Sequence, residues 1–214
     1  MLTLHNYFRS STSTRLRAAL NLKGVAYDYK AYALLKKETQ TPEFLSKSPA
    51  GLVPVLELED GTSLSQSLAI IEYIEETHPK PPLLPADPAG RARVRALSYM
   101  IACEVHPLNN LRVLQYLASE LDADDQDRTA WFHHWVHATF TPLEKLLAES
   151  ADTGIFCHGD VPGLADCCLY AQMWNNRRFK VNTSAYPTIE RIFLELDKLE
   201  PFRLAAPPTQ PDAA

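Results

Sequence analysis

Five consecutive hydroxyl residues, Ser10 to Thr14, stand between Arg9 and a run of apolar residues at helical spacing. A helix that begins near Ser13 would leave the earlier hydroxyls at its N-terminus, where backbone N–H groups have no intrahelical acceptor and the helix dipole is positive. Such a position stabilises an anion, and a hydroxyl there can donate a hydrogen bond to it. Simple N-capping needs only one serine or threonine, so the run by itself leaves both interpretations open.

Two further positions in the same part of the chain suit a ligand. Val53-Pro54 directly precedes an apolar run typical of a strand, and a cis Pro54 would expose the Val53 backbone to a ligand. Gln66-Ser67 precedes another run of helical spacing, and it forms a second candidate anion site at a helix N-terminus.

Periodicity predicts the elements that would position these residues. MLTLHNY and VAYDYKAYAL predict strands on either side of a helix that Gly24 ends. Two strand-like runs flank Asp60-Gly61, which is a strong hairpin signal, and the run after Ser67 predicts a helix that ends before Pro79. The order is β-α-β followed by β-β-α, which predicts a small mixed sheet covered by helices.

The composition changes after the proline-rich segment PKPPLLPADPAG. From Arg91 onward no run predicts a strand. Helices are predicted for 90–120, 126–149, 163–178 and 187–199, and we expect Pro107 and Pro142 to kink or break the first two. We therefore expect an α+β domain at 1–80, a linker at 81–89 and an all-α domain at 90–214. The tail AAPPTQPDAA is expected to be loosely ordered.

The bulk composition narrows the possible partners. With 214 residues and a net charge of −5, the chain has no overall basic field for nucleic acid. No segment has the layout of a signal peptide or the length of an apolar membrane span, so no membrane partner is expected. None of the four cysteines forms a C-x-x-C pair, which predicts reduced thiols, packed as small apolar residues, in a cytoplasmic protein.

The segment HHWVH has the histidine spacing of a zinc-binding helix, with His133 and His137 four residues apart. His134 stands where that motif has its catalytic glutamate, and the sequence offers no third ligand nearby. We therefore interpret these histidines as packing residues and predict no metal site.

Several segments resemble a known family. The order of elements, with LVPVL and SQSLAIIEYIEE, resembles the thioredoxin-like domain of glutathione transferases. RSSTSTRLRAALNLKG is similar to the signature of their zeta class, in which an arginine and two hydroxyl or small residues precede Cys-x-x-Arg-x-Arg. LLPADPAGRARVRAL, HPLNNLRVLQYL and GLADCCLYAQ are also similar to the family, so the resemblance covers essentially the whole chain.

The resemblance implies the glutathione transferase fold, in which an α+β thioredoxin-like N-terminal domain precedes an all-α C-terminal domain. It implies a glutathione-dependent cis–trans isomerase of maleylacetoacetate or maleylpyruvate in the degradation of tyrosine or other aromatic compounds. A thiolate would add to the double bond, rotation about the resulting single bond would follow, and the thiolate would leave. Glutathione would be the cofactor, a small dicarboxylate the substrate, and a homodimer the assembly.

The resemblance also assigns residues to these tasks. Ser10, and with it Ser11, would hydrogen-bond the thiolate, with Arg9 beside them in the catalytic group. Glutathione would be held by Thr12, Val53, Pro54, Gln66, Ser67, His106 and Asn110, of which His106 and Asn110 would act from the partner subunit. The substrate carboxylates would be bound by Arg9, Arg112 and Arg178. From the residues alone, Arg112 fits a surface charge and His106 a structural residue. Arg9 could also be a solvated surface charge, but its position next to the hydroxyl run favours a function.

The chain departs from the family pattern at two places. Thr12 replaces the frequent cysteine, which removes a protein thiol from this point. Gly163 replaces the usual serine or threonine at a helix start three residues before Asp166, for which we expect a small loss of stability. Two alternative functions stay open: a zeta-class transferase acting on electrophiles or α-haloacids, and a glutathione-binding interaction module without chemistry.

Overall fold

The computed structural model describes residues 1–213, which form two compact units. Unit 1 comprises Met1–Leu83 together with the residues from Asp197 onward, and unit 2 comprises Leu84–Leu196. The first division falls between Leu83 and Leu84, inside the segment 81–89 that the sequence predicts to be a linker. The second division differs from the expectation, because the C-terminal residues belong to unit 1 and not to the helical domain.

Unit 1 contains a four-stranded mixed sheet in the order β2-β1-β3-β4. Strand β1 is parallel to β2 and antiparallel to β3, which in turn is antiparallel to β4. The hairpin predicted at Asp60-Gly61 joins the last two strands. Gly61 has a φ of 87°, which glycine adopts without strain. The predicted α+β, thioredoxin-like fold of this part is confirmed. The strands are β1 (Leu2–Asn6), β2 (Tyr27–Ala31), β3 (Val55–Glu57) and β4 (Ser63–Ser65).

Helices account for the rest of the regular structure, and all regular structure in unit 2 is helical within the described residues. In chain order they are α1 (Ser11–Leu22), α2 (Pro42–Lys47), α3 (Ser67–Thr77), α4 (Pro88–Tyr99), α5 (His106–Leu108), α6 (Leu111–Glu120), α7 (Asp125–Ala148), α8 (Leu164–Arg178), α9 (Pro187–Leu196) and α10 (Glu200–Ala205).

Helix α1 is the central element of unit 1 and packs against both α3 and α10. Leu16 and Leu20 are fully buried in this packing. The C-terminal end of α1 is fixed by a buried charge: Lys23 Nζ lies 2.5 Å from a carboxylate oxygen of Glu75 and also donates to the carbonyls of His78 and Pro81, at 2.7 and 2.9 Å. Because a buried ammonium needs several acceptors, this arrangement ties the ends of α1 and α3 together.

Proline affects the two long helical segments of unit 2 differently. A π-helical segment, Met100–Val105, joins α4 to α5, and the helix ends at Leu108, one residue beyond Pro107, as predicted. Helix α7 instead continues through Pro142, so of the two expected effects, a kink or a break, the break does not occur. The neighbouring Phe140 and Leu143 are buried, and their packing offsets the single hydrogen bond that proline removes.

The start of α8 keeps half of a capping box in spite of Gly163. The Asp166 carboxylate is buried and accepts the N–H of Gly163 at 2.8 Å and that of Cys157 at 2.9 Å. Burial raises the pKa of Asp166, and the two backbone donors act in the opposite direction. The carboxylate therefore supplies its own half of the capping box, and a serine or threonine side chain at 163 would supply the other half by accepting the Asp166 N–H.

The C-terminal segment up to residue 213 contains buried and hydrogen-bonded residues, which differs from the loosely ordered tail that its composition predicts. Phe202 and Ala205 of α10 are fully buried in unit 1. Beyond α10, the Gln210 side chain donates to the carbonyls of Leu204 and Ala206, at 2.7 and 2.8 Å. Within residues 1–213 no helix is long and apolar enough to cross a membrane.

Three of the four cysteines are buried, in keeping with a packing role, whereas Cys103 is exposed. Burial raises the pKa of the Cys157 thiol well above its usual value, so this thiol stays protonated at neutral pH. The expectation of apolar packing therefore fails only at Cys103.

Candidate functional site

Ser10 caps the start of α1. Its Oγ accepts the Ser13 N–H at 3.3 Å, and its own N–H donates to the Tyr7 carbonyl at 3.0 Å, which closes a turn over residues 7–10. The helix begins at Ser11, two residues before the predicted start. The hydroxyl run is therefore a helix N-terminus, and Arg9 lies exposed in the turn that precedes it.

The hydroxyls of Ser10 and Thr12 form a short chain of hydrogen bonds. Thr12 Oγ1 donates to the Val53 carbonyl at 3.1 Å, and it lies 2.7 Å from Ser10 Oγ. Because Thr12 has one hydroxyl hydrogen and gives it to Val53, Ser10 is the donor in the second bond. The Ser10 hydrogen consequently points at Thr12 in this structure and must rotate to serve a ligand.

The other hydroxyls of the run have different tasks. Thr14 Oγ1 donates to the Ser10 carbonyl at 3.0 Å and accepts a hydrogen bond from Arg17 at 2.9 Å. Ser11 is buried in the first turn. Ser13 Oγ is buried and has no hydrogen-bond partner among the described residues. Of the five hydroxyls, only those of Ser10 and Thr12 belong to partly exposed residues.

The backbone at Val53 offers one free donor. The Val53–Pro54 peptide is cis, the arrangement in which we expect the Val53 backbone to be exposed to a ligand. Thr12 occupies the Val53 carbonyl, whereas no residue within 1–213 accepts a hydrogen bond from the Val53 N–H. Val53 is only partly buried, so this N–H is the remaining backbone position for an extended ligand.

The start of α3 has no side-chain cap. Gln66 precedes the helix with a φ of 67°, which is strained for a residue other than glycine, and its side chain makes no capping hydrogen bond. Ser67 is buried, and within residues 1–213 its hydroxyl has no hydrogen-bond partner. The first-turn N–H groups of α3 are therefore open to an anion from outside the helix.

Strand register brings these positions together within unit 1. Val55 of β3 lies opposite Ser65 of β4 and also opposite His5 of β1. Continuing the β3–β4 register by two residues places Val53 opposite Ser67, while β1 leads through the turn to Ser10. The starts of α1 and α3 and the Val53 N–H thus lie at one edge of the sheet. Neither helix has an acidic residue in its first turn, so both positive dipole ends are available to an anion.

His106 and Asn110 lie in unit 2, and they contact each other. Asn110 caps α6 by accepting the Arg112 N–H at 3.2 Å, and its Nδ2 lies 3.4 Å from His106 Nε2. The Asn110 amide oxygen is thus already used inside the unit. Their predicted contact with glutathione stays a prediction.

The predicted substrate arginines differ in their surroundings. Arg9 lies with its guanidinium 4.8 Å from the centre of the Phe8 ring, and Arg178 lies 5.2 Å from that of Phe179. Arg112 is exposed. Arg177, the neighbour of Arg178 in the chain, stacks over Phe193 at 4.0 Å. Their substrate contacts stay predictions.

The histidines of α7 are held by other side chains and by the backbone. His133 Nε2 donates to the Phe179 carbonyl at 2.8 Å, and His137 Nδ1 lies 2.7 Å from the Tyr186 hydroxyl. Within the described part of the chain, no three His, Cys, Asp or Glu side chains are grouped so that they could hold a metal ion.

Sequence reasoning missed the residues that hold the turn before Ser10. The Phe8 N–H donates to Asp212, and the Phe8 carbonyl accepts from Arg17. Arg17 is fully buried, and no signal in the Pro/Ala-rich tail pointed to Asp212.

Comparison with known proteins gives a family match for the N-terminal part of the chain and a relative that is similar along its whole length. Residues 4–82 match the family described as glutathione S-transferase, N-terminal domain. The chain is 46% identical to the maleylpyruvate isomerase of a Ralstonia species, over 99% of each chain.

Two solved structures are similar along the whole chain. One is a holo maleyl pyruvate isomerase described as a bacterial zeta-class glutathione S-transferase, with a TM-score of 0.97 and 46% identity over 99% of this chain and 100% of that one. The other is a maleylacetoacetate isomerase of Methylobacterium extorquens AM1 with bound malonate and glutathione, with a TM-score of 0.96 and 38% identity over 99% of both chains.

Proposed function

The chain belongs to the zeta class of the glutathione transferase family, and we propose that it is a glutathione-dependent cis–trans isomerase acting on maleylacetoacetate or maleylpyruvate. The observation that carries this proposal is the start of α1, where the Ser10 hydroxyl and the positive end of the helix dipole lie beside Arg9. We further propose that the protein works in the cytoplasm as a homodimer, as the family resemblance implies.

The donors in unit 1 fit glutathione, which has two carboxylates, an amine and a thiol. The start of α3, with Ser67 and Gln66, suits the γ-glutamyl end, because its N–H groups have no internal partner. The free Val53 N–H suits the cysteinyl backbone. Ser10 lies at the other helix start, where the thiol would be held. When bound, glutathione supplies the thiolate nucleophile that adds reversibly to the substrate double bond.

Ser10 is proposed to donate its hydroxyl hydrogen to the thiolate sulfur. The hydrogen now directed at Thr12 would rotate toward sulfur, and the dipole of α1 would add to the stabilisation of the anion. Both effects favour the ionised thiol and so lower its pKa. Ser11 is proposed to assist through the first turn of α1, and Thr12 to keep the Val53 carbonyl in place.

The substrate carries carboxylates, and negative charge develops on it as the double bond is attacked. Arg9 lies next to Ser10 and is proposed to stabilise this charge, since a planar guanidinium can donate two parallel hydrogen bonds to an anion. Arg112 and Arg178 are proposed to bind the substrate carboxylates. Support for these two comes from the family resemblance and from the malonate bound to the Methylobacterium protein.

The test is turnover of both substrates by the purified protein, measured by loss of substrate absorbance with and without glutathione. We expect turnover that depends strictly on glutathione, and the faster substrate identifies the preferred reaction. If neither is isomerised but electrophiles or α-haloacids are conjugated, the protein is a general transferase. If glutathione binds and no reaction occurs, it is an interaction module.

The arginines are tested by Arg112→Ala and Arg178→Ala, with Arg128→Ala as the control. Arg128 is an arginine of the same unit whose side chain pairs with Asp125. We expect KM for the dicarboxylate to rise about 10-fold or more in the first two variants and to stay unchanged in the control. Unchanged KM in both would remove these arginines from substrate binding.

A further inference from the structure

In the turn over residues 7–10, charged side chains hold both the N–H and the carbonyl of Phe8. The Phe8 N–H donates to Asp212 Oδ2 at 3.1 Å, and the Phe8 carbonyl accepts from Arg17 Nη2 at 3.0 Å. Hydrogen bonds to charged groups are stronger than neutral ones, so both peptides of Phe8 are strongly restrained. Arg9 and Ser10 follow directly on this restrained residue.

Arg17, which holds the Phe8 carbonyl, is itself held rigidly by several acceptors. It is fully buried, its Nε and Nη2 both donate to the Ala205 carbonyl, and its Nη1 donates to Asn6 at 2.8 Å. Burial lowers the pKa of Arg17 to about 10, so it remains a cation at neutral pH. Through Thr14 the same guanidinium also supports the Ser10 carbonyl.

Asp212, which holds the Phe8 N–H, belongs to the C-terminal segment. Its second oxygen, Oδ1, accepts the Tyr29 hydroxyl hydrogen from β2. Burial and the neighbouring carboxylate raise the pKa of Tyr29, so the phenol keeps its hydrogen and remains a donor. Tyr29 therefore orients Asp212, and Asp212 orients Phe8.

The restraints on the turn have different origins. The Phe8 and Ser10 carbonyls accept from Arg17 and Thr14 of α1. The Tyr7 carbonyl accepts from the Ser10 N–H at 3.0 Å and from Arg17 Nη1 at 3.5 Å. Only the Phe8 N–H is restrained from outside the turn and α1, by Asp212. Without this bond the Tyr7–Phe8 peptide is held through its carbonyl alone, so it can tilt and displace Arg9 and Ser10 relative to the helix.

We propose that Asp212 is a positioning residue for the isomerase: by holding the Phe8 peptide, it sets the placement of the Ser10 hydroxyl and of Arg9. This inference rests on the proposed function of Ser10. A misplacement of a catalytic group by 1 Å can cost about 100-fold in rate, so a restraint on the preceding turn is sufficient to affect catalysis.

The experiment compares Asp212→Ala and Asp212→Asn with Asp28→Asn as the matched control. Asp28 is an exposed carboxylate on β2 next to Tyr29. Five quantities are measured: the pKa of the bound glutathione thiol by ultraviolet titration, the Kd of glutathione by calorimetry, kcat, KM, and the free energy of unfolding in urea.

For Asp212→Ala we expect kcat to fall about 10-fold or more and the thiol pKa to rise toward that of free glutathione. The Kd should stay within about twofold, because the Val53 and Ser67 donors are untouched. Asp212→Asn keeps one acceptor oxygen at nearly unchanged volume, so it should lie between wild type and Asp212→Ala. Asp28→Asn should match wild type.

A variant that loses only stability, with wild-type kcat and thiol pKa, would overturn the proposal and leave Asp212 a structural residue. If Asp212→Ala does not fold, Asp212→Asn decides by the same criteria. If the wild-type protein isomerises neither substrate, the proposed function fails. The thiol pKa of the variants then still decides whether Asp212 positions Ser10.

Discussion

The two helix starts at the sheet edge of unit 1 present their N–H groups in opposite ways. At α1, Ser10 is an internal cap, and its hydroxyl and that of Thr12 are already hydrogen-bonded. At α3, Gln66 provides no cap, and the first-turn donors are left open. Both ends carry the same positive dipole and neither has an acidic residue in its first turn.

The presence of a cap at α1 and its absence at α3 suit the two helix N-termini to different ligand groups. A thiolate needs one well-placed donor, and the capped start of α1 fixes the position of Ser10 before any ligand binds. A carboxylate accepts several hydrogen bonds, and the uncapped start of α3 leaves several donors for it. We therefore expect substitutions at α1 to affect rate and substitutions at α3 to affect glutathione affinity.

The largest effect is expected for Ser10→Ala. It removes the proposed thiolate donor, so kcat/KM should fall by about 100-fold to 1,000-fold, the usual loss for one donor to a developing anion. It also removes an N-cap, which costs about 1 kcal/mol of stability. Kinetics with saturating glutathione and urea unfolding measure the two losses separately.

Thr41→Ala is the control, because Thr41 caps α2 in the same unit and accepts the Phe44 N–H. It should lose a similar stability and keep its activity. If both variants lose activity alike, the effect of Ser10 comes from helix stability and not from the thiolate.

A smaller effect is expected for Ser67→Ala. The hydroxyl has no partner within residues 1–213, so its loss should leave the free energy of unfolding nearly unchanged. A hydrogen bond to a charged group contributes about 1.5–3 kcal/mol, which predicts an increase of at least about 10-fold in the Kd of glutathione at unchanged kcat. Calorimetry on Ser67→Ala beside Ser65→Ala, an exposed serine of β4, tests this. A fall in kcat at constant Kd contradicts the division of tasks.

Thr12→Val should change the rate by no more than about threefold. It removes the acceptor of the Ser10 hydrogen and leaves the Val53 carbonyl without its partner, so some stability is lost while Ser10 stays free to donate. The measurement is kcat/KM together with the pKa of the bound thiol. A loss equal to that of Ser10→Ala means that Thr12, and not Ser10, contacts the sulfur.

Acidification should lower the stability of the whole sheet and therefore affect the starts of α1 and α3 equally. It is expected to have the smallest effect on the difference between the two helix starts. Burial lowers the pKa of His5, which lies on β1 and contacts Glu57 on β3, so the neutral imidazole is favoured in the folded state. The resulting stability is present above the unfolded pKa near 6.5 and is lost as the pH falls through the lowered folded pKa.

Urea unfolding at about pH 7.5 and about pH 5.5 measures this loss. His5→Gln cannot titrate, so its stability should fall less over the same interval. An equal fall in both proteins assigns the acid sensitivity to other groups. Among these is Glu57, whose pKa is lowered by its hydrogen bonds to Lys47 and His5.

The sequence predicted what is encoded locally. Alternation indicated β1 and β2, Asp60-Gly61 indicated the hairpin, and the hydroxyl run before an apolar helix indicated the N-terminus at Ser10. The sequence-based prediction failed where tertiary packing determines whether a segment is helical. Pro142 remains helical because buried neighbours hold α7, and the six-residue helix α10 depends on Phe202 and Ala205 being buried within unit 1.

The candidate site shows the same limit. Gln66 and Ser67 lie at a helix start, as the pattern indicated. The absence of a cap could not be predicted, because the amide side chain of a glutamine either accepts a hydrogen bond from the first turn of the helix or points away from it. Asp212 could not be predicted at all. Its role depends on contacts with Phe8 and Tyr29, 204 and 183 residues away in the chain.

That separation has a consequence for how the protein is made. The acceptor of the Phe8 N–H is translated 204 residues after its donor, when the whole of unit 2 has already left the peptidyl transferase centre. At about 5–20 residues per second, the interval is roughly 10–40 s. A nascent chain can thus form the sheet and the start of α1 early, yet the turn before Ser10 receives its last restraint only when the C-terminal segment emerges from the ribosome. The proposed site is therefore completed only after residue 212 has been translated.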